Sequence, residues 1–463
     1  MKQRRQLAAA LACALAVSLG AGAVLANETA QTSAAPPLLI APNPTASQRV
    51  TETLSSDTAA PETSVSQEDT TDTTTPDAEG TVSFANLADR VRKGNLTFLM
   101  LEEHIAQVEA TDYEEIMDQL RDDMNAIAST QAALLMGSSG IATGMPMLDY
   151  ALQGMYDAST SSSLQTLQSA YDAMKEQYDK LRDGEIQAEA ADGVRQLRNT
   201  QDIIIKGAEA LYAGYLTAQI QGVSLDRTLA MLDRTIQELE IRYDMGQISA
   251  LTLQQTRAKR DQVISGQQSL GMALQNLSLQ LENMVGDPLT GTLQPAPLAP
   301  VTAAQLAAMD PVADLAAASA ASYDLYIAQK TLDDAKEVFD EAGDEYGRNP
   351  AKTEYRQAQH AWQAAQYTYA ATVQNFELSF RTLFASVNDY AQILTAAQTA
   401  LTLEEANYAA DLLRYEQGVI SKNALLNTED NLNAARDTVM GAQLDLFTAY
   451  NNNCWAVEHG ILN

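Results

Sequence analysis

The sequence predicts an all-α protein built from long coiled-coil helical hairpins. Three observations predict it. Apolar residues recur at alternating three- and four-residue steps over most of residues 81–463. Ala, Gln, Glu and Leu fill the positions between, all good helix formers. Proline, which breaks helices, clusters at Pro288, Pro295, Pro297, Pro300 and Pro311 and leaves long stretches on either side free.

Taken in order, the chain opens with Lys2, Arg4 and Arg5, an apolar run from about Leu7 to Leu25, and small residues before Ala26. This is the pattern of a signal peptide over 1–26, with a retained anchor as the alternative. Residues 27–80 are Thr, Ser, Pro and acidic. They carry too little apolar surface to offset the entropy of ordering, so a disordered linker is expected. A first helical repeat is expected over 81–286, a Pro-rich linker over 287–311 and a second helical repeat over 312–463. Seams are read at Leu225, Leu229, Leu232, Ile236 and Leu239, at Leu270, Leu274, Leu277, Leu281 and Met284, and at Leu432, Ala435, Val439, Ala442, Leu446 and Ala449. The stretch from Val194 to Met245 alone would extend about 75 Å at ~1.5 Å per residue.

The formal net charge is −31. Phosphate binding needs a basic footprint, so nucleic acid is excluded as a partner. Removal of residues 1–26 would leave Cys454 as the only cysteine, which excludes an intrachain disulfide and a thiolate zinc site. His104, His360 and His459 are far apart, and no metal-ligand spacing, phosphate loop or nucleophile elbow is present. The expectation is a non-enzymatic protein with no cofactor and no metal. Carboxylates at helix-surface positions are read as solvated faces, and Tyr346, Tyr355, Tyr367 and Tyr369 as packing residues at a bundle end.

An internal repeat organises the rest. Arg242-Tyr243-Asp244-Met245-Gly246-Gln247-Ile248-Ser249 recurs as Arg414-Tyr415-Glu416-Gln417-Gly418-Val419-Ile420-Ser421, at an offset of 172 that also carries Leu253 onto Leu425 and Leu229 onto Leu401. Each octet has the chemistry of a tight helix-to-helix turn. Gly246 or Gly418 can take a left-handed backbone, and Ser249 or Ser421 can cap the next helix. Ile248 with Leu253, and Ile420 with Leu425, have the spacing of a hydrophobic staple. Arg242 and Arg414 face the negative end of the incoming helix dipole. For one octet alone, turn chemistry is explanation enough; the Arg-Tyr pair, repeated in both, is not demanded by it.

With these octets and the closing elements Leu281–Gly286 and Trp455–Gly460, the chain resembles the TolC family of outer-membrane efflux and secretion channels. The resemblance covers about residues 81–463. It implies a homotrimer, each copy lending four long helices to a hollow tube, working with a periplasmic adaptor protein and an inner-membrane transporter. It further implies that the adaptor docks on the tips, here Arg242, Tyr243, Gly246, Gln247, Ile248, Ser249, Arg414, Tyr415, Gly418, Val419, Ile420 and Ser421. The expected location is the cell envelope. Family channels cross the outer membrane by β-strands inserted in each half. The only gaps here, 137–147 and 343–350, are too short for two spanning strands, so the barrel is read as missing or reduced to turns. An extracytoplasmic coiled-coil scaffold is the alternative.

Overall fold

The computed structural model describes residues 77, 78, 80–136 and 146–462, and the side chains of 146–156 are left aside. The chain divides into two units, Met1–Thr75 and Pro76–Asn463, and every described residue belongs to the second. The expected signal peptide and nearly all of the Thr/Ser/Pro linker lie outside the described residues.

Helices account for almost all of that unit. In order they are α1 (Phe84–Gly94), α2 (Leu96–Glu109), α3 (Tyr113–Met136), α4 (Pro146–Arg182), α5 (Glu185–Asp244) and α6 (Ala250–Val285). After them come α7 (Ala303–Ala307), α8 (Pro311–Ala321), α9 (Tyr323–Glu345), α10 (Thr353–Glu416) and α11 (Lys422–His459). The strands among the described residues are β1 (Thr81–Val82) and β2 (Gln294–Pro295), paired parallel with Thr81 opposite Gln294. With 60 and 64 residues, α5 and α10 run roughly 90 and 96 Å. Neither contains a proline to interrupt it.

The order of elements recurs. Both α1 and α8 have 11 residues and end on a corner of one residue that also caps the next helix. Asn95 accepts from the Phe98 N–H, and Ser322 from the Leu325 N–H. The long hairpins follow, α5 with α6 and α10 with α11, and each closes on a left-handed glycine, Gly286 and Gly460.

Each repeat has an apolar cluster where the hairpin meets its short first helix, and the first cluster also takes in Trp455 of the second repeat. In the first, Leu87 and Val91 of α1 pack with Ile205 and Tyr212 of α5 and Leu281 of α6. The Tyr212 hydroxyl donates to the Ala296 carbonyl at 2.5 Å, tying β2 to α5, and burial with the nearby Asp77 charge pushes the phenol up to about 12. In the second, Ala318 of α8 packs with Phe376 and Phe380 of α10 and Ala456 of α11. Farther along that hairpin Leu432, Val439, Ala442, Leu446 and Ala449 are buried, as their seam predicts.

Several carboxylates depart from the solvated-face reading, Glu282 most completely. Glu282 is 1 % exposed. Burial alone would raise its pKa, but the Gly291, Thr292 and Leu293 N–H groups and the Thr290 hydroxyl donate to it and hold it near about 2. The Pro-rich segment after α6 is therefore wound around a buried anion. Glu209 departs too and belongs, with several aspartates, to the seam described below.

The far ends of the two repeats differ. In the first, α3 and α4 form an additional antiparallel pair, with Gln131 bonded to Gln168 at 3.3 Å. The gap read at 137–147 falls, from 137 to 145, outside the described residues. In the second, α9 passes to α10 through a turn over 346–352, where Gly347 and Arg348 are left-handed and the Arg348 N–H donates to the Gly343 carbonyl at 2.9 Å. Tyr355 and Trp362 pack on Phe339 beside that turn, whereas Tyr367 points to solvent.

Candidate functional site

The two octets form two tips of nearly identical backbone. Met245 and Gln417 end their helices with φ/ψ of −79°/0° and −82°/0°. Gly246 and Gly418 follow at φ 71° and 70°. At the first tip the Gly246 N–H donates to the Tyr243 carbonyl and the Gln247 N–H to the Arg242 carbonyl, both at 2.8 Å. At the second the Gly418 N–H reaches the Tyr415 carbonyl at 2.9 Å and the Val419 N–H the Arg414 carbonyl at 2.8 Å. This pairing satisfies the last free carbonyls of the helix and requires the left-handed residue. Ser249 and Ser421 then cap the outgoing helices, accepting from the Thr252 and Ala424 N–H groups at 3.2 Å.

Apart from the two serine caps, most side chains of the octets are not used in building the turn. Arg242 bonds back to Glu238 and Arg414 to Asp411, each along its own helix. Tyr243, Gln247, Tyr415 and Val419 are exposed, and Ile248 and Ile420 are half-buried. Around Gly246 and Gly418 a Cβ would meet no atom within 4 Å. Below the tips the hairpins are braced by polar contacts. Arg257 pairs with Glu240 at 2.7 Å in the first, and the Thr428 hydroxyl donates to Asp411 at 2.7 Å in the second.

Both tips lie at the same end of the unit. Arg227 pairs with Asp437 at 2.5 Å and Arg234 pairs with Asp430, so α5 and α11 run antiparallel side by side. Arg234 precedes the end of α5 by about 15 Å of helix and Asp430 follows the start of α11 by about 12 Å. The structure thus brings the twelve sequence-singled residues to one end, in two adjacent turns.

The residues that hold the repeats together are ones that sequence reasoning missed. One stripe of α5 carries Asp192, Arg195, Asp202, Lys206 and Glu209 at three-, four- and seven-residue steps, and, eighteen residues on, Arg227 and Arg234 seven apart. Asp192 accepts from Tyr326 and Lys330 of α9, and Arg195 lies 3.9 Å from the Tyr326 ring centroid. Glu209 accepts from Trp455 Nε1 at 2.5 Å and Asn451 Nδ2 at 2.6 Å, and burial pushes its pKa up despite these donors. Burial lowers the pKa of Lys206, whose Nζ reaches the Ile461 carbonyl at 3.3 Å. The bond from His459 Nδ1 to Asp202 Oδ2, at 3.0 Å, raises the imidazole pKa. Charged residues at coiled-coil spacing along α5 are the signal that could have found this seam.

Among the described residues no cluster of His, Cys, Asp and Glu is arranged to hold a metal, and no helix is long and apolar enough to cross a membrane. Neither a family model nor a curated protein matches the sequence. Similar solved structures exist. The outer-membrane channel OprN is 14% identical, with 82% of this chain and 90% of that one covered at a TM-score of 0.49. The Campylobacter jejuni CmeC outer membrane channel is 11% identical over 81% and 85%, at 0.45. The outer membrane protein VceC from Vibrio cholerae is 12% identical over 81% and 95%, at 0.41.

Proposed function

We propose that the exported chain is a TolC-like, non-enzymatic component of an efflux or export complex in the cell envelope. Copies of it, three by the family resemblance, form a helical conduit. The two tips dock the α-hairpin of a periplasmic adaptor, which links the conduit to an inner-membrane transporter. The observation that carries this reading is the pair of matched tips at one end. Their backbones are stiffened alike, and Tyr243, Gln247, Tyr415 and Val419 are left exposed. A surface that is rigid and unspent meets a partner with little ordering cost.

Helical hairpins suit such docking because their exposed faces extend a coiled-coil seam onto a partner helix pair. Replacing both Gln247 and Val419 with Trp leaves the turns intact and alters only exposed surface. The expected outcome is loss of co-purification with a co-expressed periplasmic adaptor, with unchanged helix content. Retention of the adaptor by that variant argues against tip docking.

A second reading, an extracytoplasmic scaffold without a pore, is favoured by the plain turn over 346–352, where a channel of this family would insert strands. Sedimentation separates the two: a closed assembly of three supports the conduit, and a stable monomer or antiparallel dimer supports the scaffold.

A further inference from the structure

Where the end of α11 meets α5, four side chains form one run of contacts across the two repeats. His459 Nδ1 lies 3.0 Å from Asp202 Oδ2. The His459 ring sits on the Trp455 indole, with centroids 4.5 Å apart and planes tilted by 35°. The indole Nε1 in turn donates to Glu209, back on α5, at 2.5 Å. Between Asp202 and Glu209 on α5, Lys206 reaches past the end of α11 to the Ile461 carbonyl. Trp455 and Ile461 also pack in the apolar cluster of the first repeat, so these contacts close that cluster.

The hairpin architecture does not ask for titratable groups here. Counted back from the base glycines, Trp455 and His459 hold the places of Leu281 and Val285, which are apolar and buried. At the offset of 172, Asp202, Lys206 and Glu209 become Gln374, Leu378 and Arg381 of α10. The cluster is thus peculiar to the contact between the repeats.

Its geometry accommodates protons. Asn451 Nδ2 and Trp455 Nε1 both donate to Oε2 of Glu209, at 2.6 and 2.5 Å, so a proton on Oε1 breaks neither bond. A proton on His459 sets a cation between the Asp202 carboxylate and an indole face, and both attract it. The charged groups facing His459 are Asp202 of α5, Glu458 of its own helix and Arg92 of α1. Those facing Glu209 are Lys206 and His459, with the Cys454 thiol also near. The bond to Asp202 favours the imidazolium, and burial favours the neutral acid at Glu209. Each contribution is complete below the group's ordinary pKa, 4.5 for Glu209 and 6.5 for His459, and is lost as pH rises through the higher folded value. Lys206 acts in the opposite sense, since the cost of burying its charge eases as pH rises toward 10.5.

We infer that this cluster is a proton-operated latch on the joint between the repeats. With His459 and Glu209 protonated, it holds the last turn of α11 and the residues through Ile461 against α5. Loss of both protons removes a cation at His459 and adds an anion at Glu209, and the end of α11 is released. The ion pairs of Arg227 and Arg234 begin roughly 27 Å farther along α5, so the joint opens from one end. The latch does not depend on tip docking.

The test uses the full chain carrying Trp362→Phe, which leaves Trp455 as its single tryptophan. Acrylamide quenching of Trp455 is followed from pH ~5 to ~8.5. The expected result is a rise of about two-fold or more, with its main midpoint above 6.5. Asp202→Asn should lower that midpoint, because the imidazolium loses its bonded carboxylate. Glu209→Gln keeps an acceptor for Asn451 and Trp455 and should bring quenching at pH ~8 back toward the acid level. His459→Gln should abolish the step. A merely structural contact would weaken in these variants without moving a midpoint. A flat profile in the parent, or a midpoint that stays in place in Asp202→Asn, overturns the inference. Circular dichroism is recorded at each pH, and a rise in quenching that coincides with loss of helix reports unfolding and overturns it as well.

Discussion

Four glycines hold left-handed backbones at corresponding places in the two repeats, and they fall into two kinds. Gly246 and Gly418 at the tips stand in open space. Gly286 and Gly460 at the hairpin bases are pressed against backbone. A Cβ on Gly286 would lie 2.1 Å from the Gly94 carbonyl oxygen, and one on Gly460 would lie 2.3 Å from the Ser322 Cα. All four have φ between 67° and 75°. The turn conformation is therefore the same, and what surrounds it differs. At the base, glycine is required by packing within the chain. At the tip nothing in the chain requires the space, and the octet around it nonetheless recurs in both repeats.

The base should be the more fragile of the two. Gly286→Ala and Gly460→Ala combine a left-handed alanine, ~1–2 kcal/mol, with displacement of a packed helix corner, ~1–3 kcal/mol. Each should lower stability by roughly 2–5 kcal/mol, read as a fall in the thermal midpoint of the corresponding repeat. A loss no larger than that of the tip variants would remove the distinction.

Glu282 sharpens the same contrast, because it fixes the segment that follows the first base glycine. Its folded pKa lies below its ordinary value of 4.5, at about 2, so ionisation is favoured by the fold. The stabilisation, about 3 kcal/mol from the shift, is fully present above pH ~4.5. It is lost as the pH falls toward 2. Glu282→Gln should cost about 2–3 kcal/mol near pH 7 and converge on the parent in acid, measured by denaturant unfolding across that range.

The tips should be the most tolerant. Gly246→Ala or Gly418→Ala costs only the left-handed backbone, ~1–2 kcal/mol, spent on fraying of the last turn. The thermal midpoint should move by less than about 4 °C, while hydrogen exchange of the Gln247 or Val419 amide accelerates.

The tips were legible in the sequence because their chemistry is local. A left-handed glycine, a serine cap three residues later and an isoleucine–leucine staple all lie within one octet and its next turn. Helix length was legible for a related reason, since heptad periodicity and the absence of proline act over neighbouring turns. The seam between repeats was not. Asp202, Glu209 and Arg234 are polar residues on a long helix, and a solvated face has the same composition. Only the partner helix, more than 190 residues away, makes them interior. Glu282 escaped for a similar reason: its donors are backbone N–H groups, which leave no mark in residue identities. The turn over 346–352 was legible as the gap read at 343–350, whereas the gap read at 137–147 did not tell that the helices flanking it pair as α3 and α4.

The central claim is that the tips are built for a partner rather than for the fold. Titrating the adaptor against the parent chain and the Gly246→Ala/Gly418→Ala variant, with thermal midpoints measured in parallel, tests it most directly. Docking through the tips requires an affinity reduced tenfold or more while the midpoint stays within about 4 °C. Equal affinity at an unchanged midpoint would contradict it.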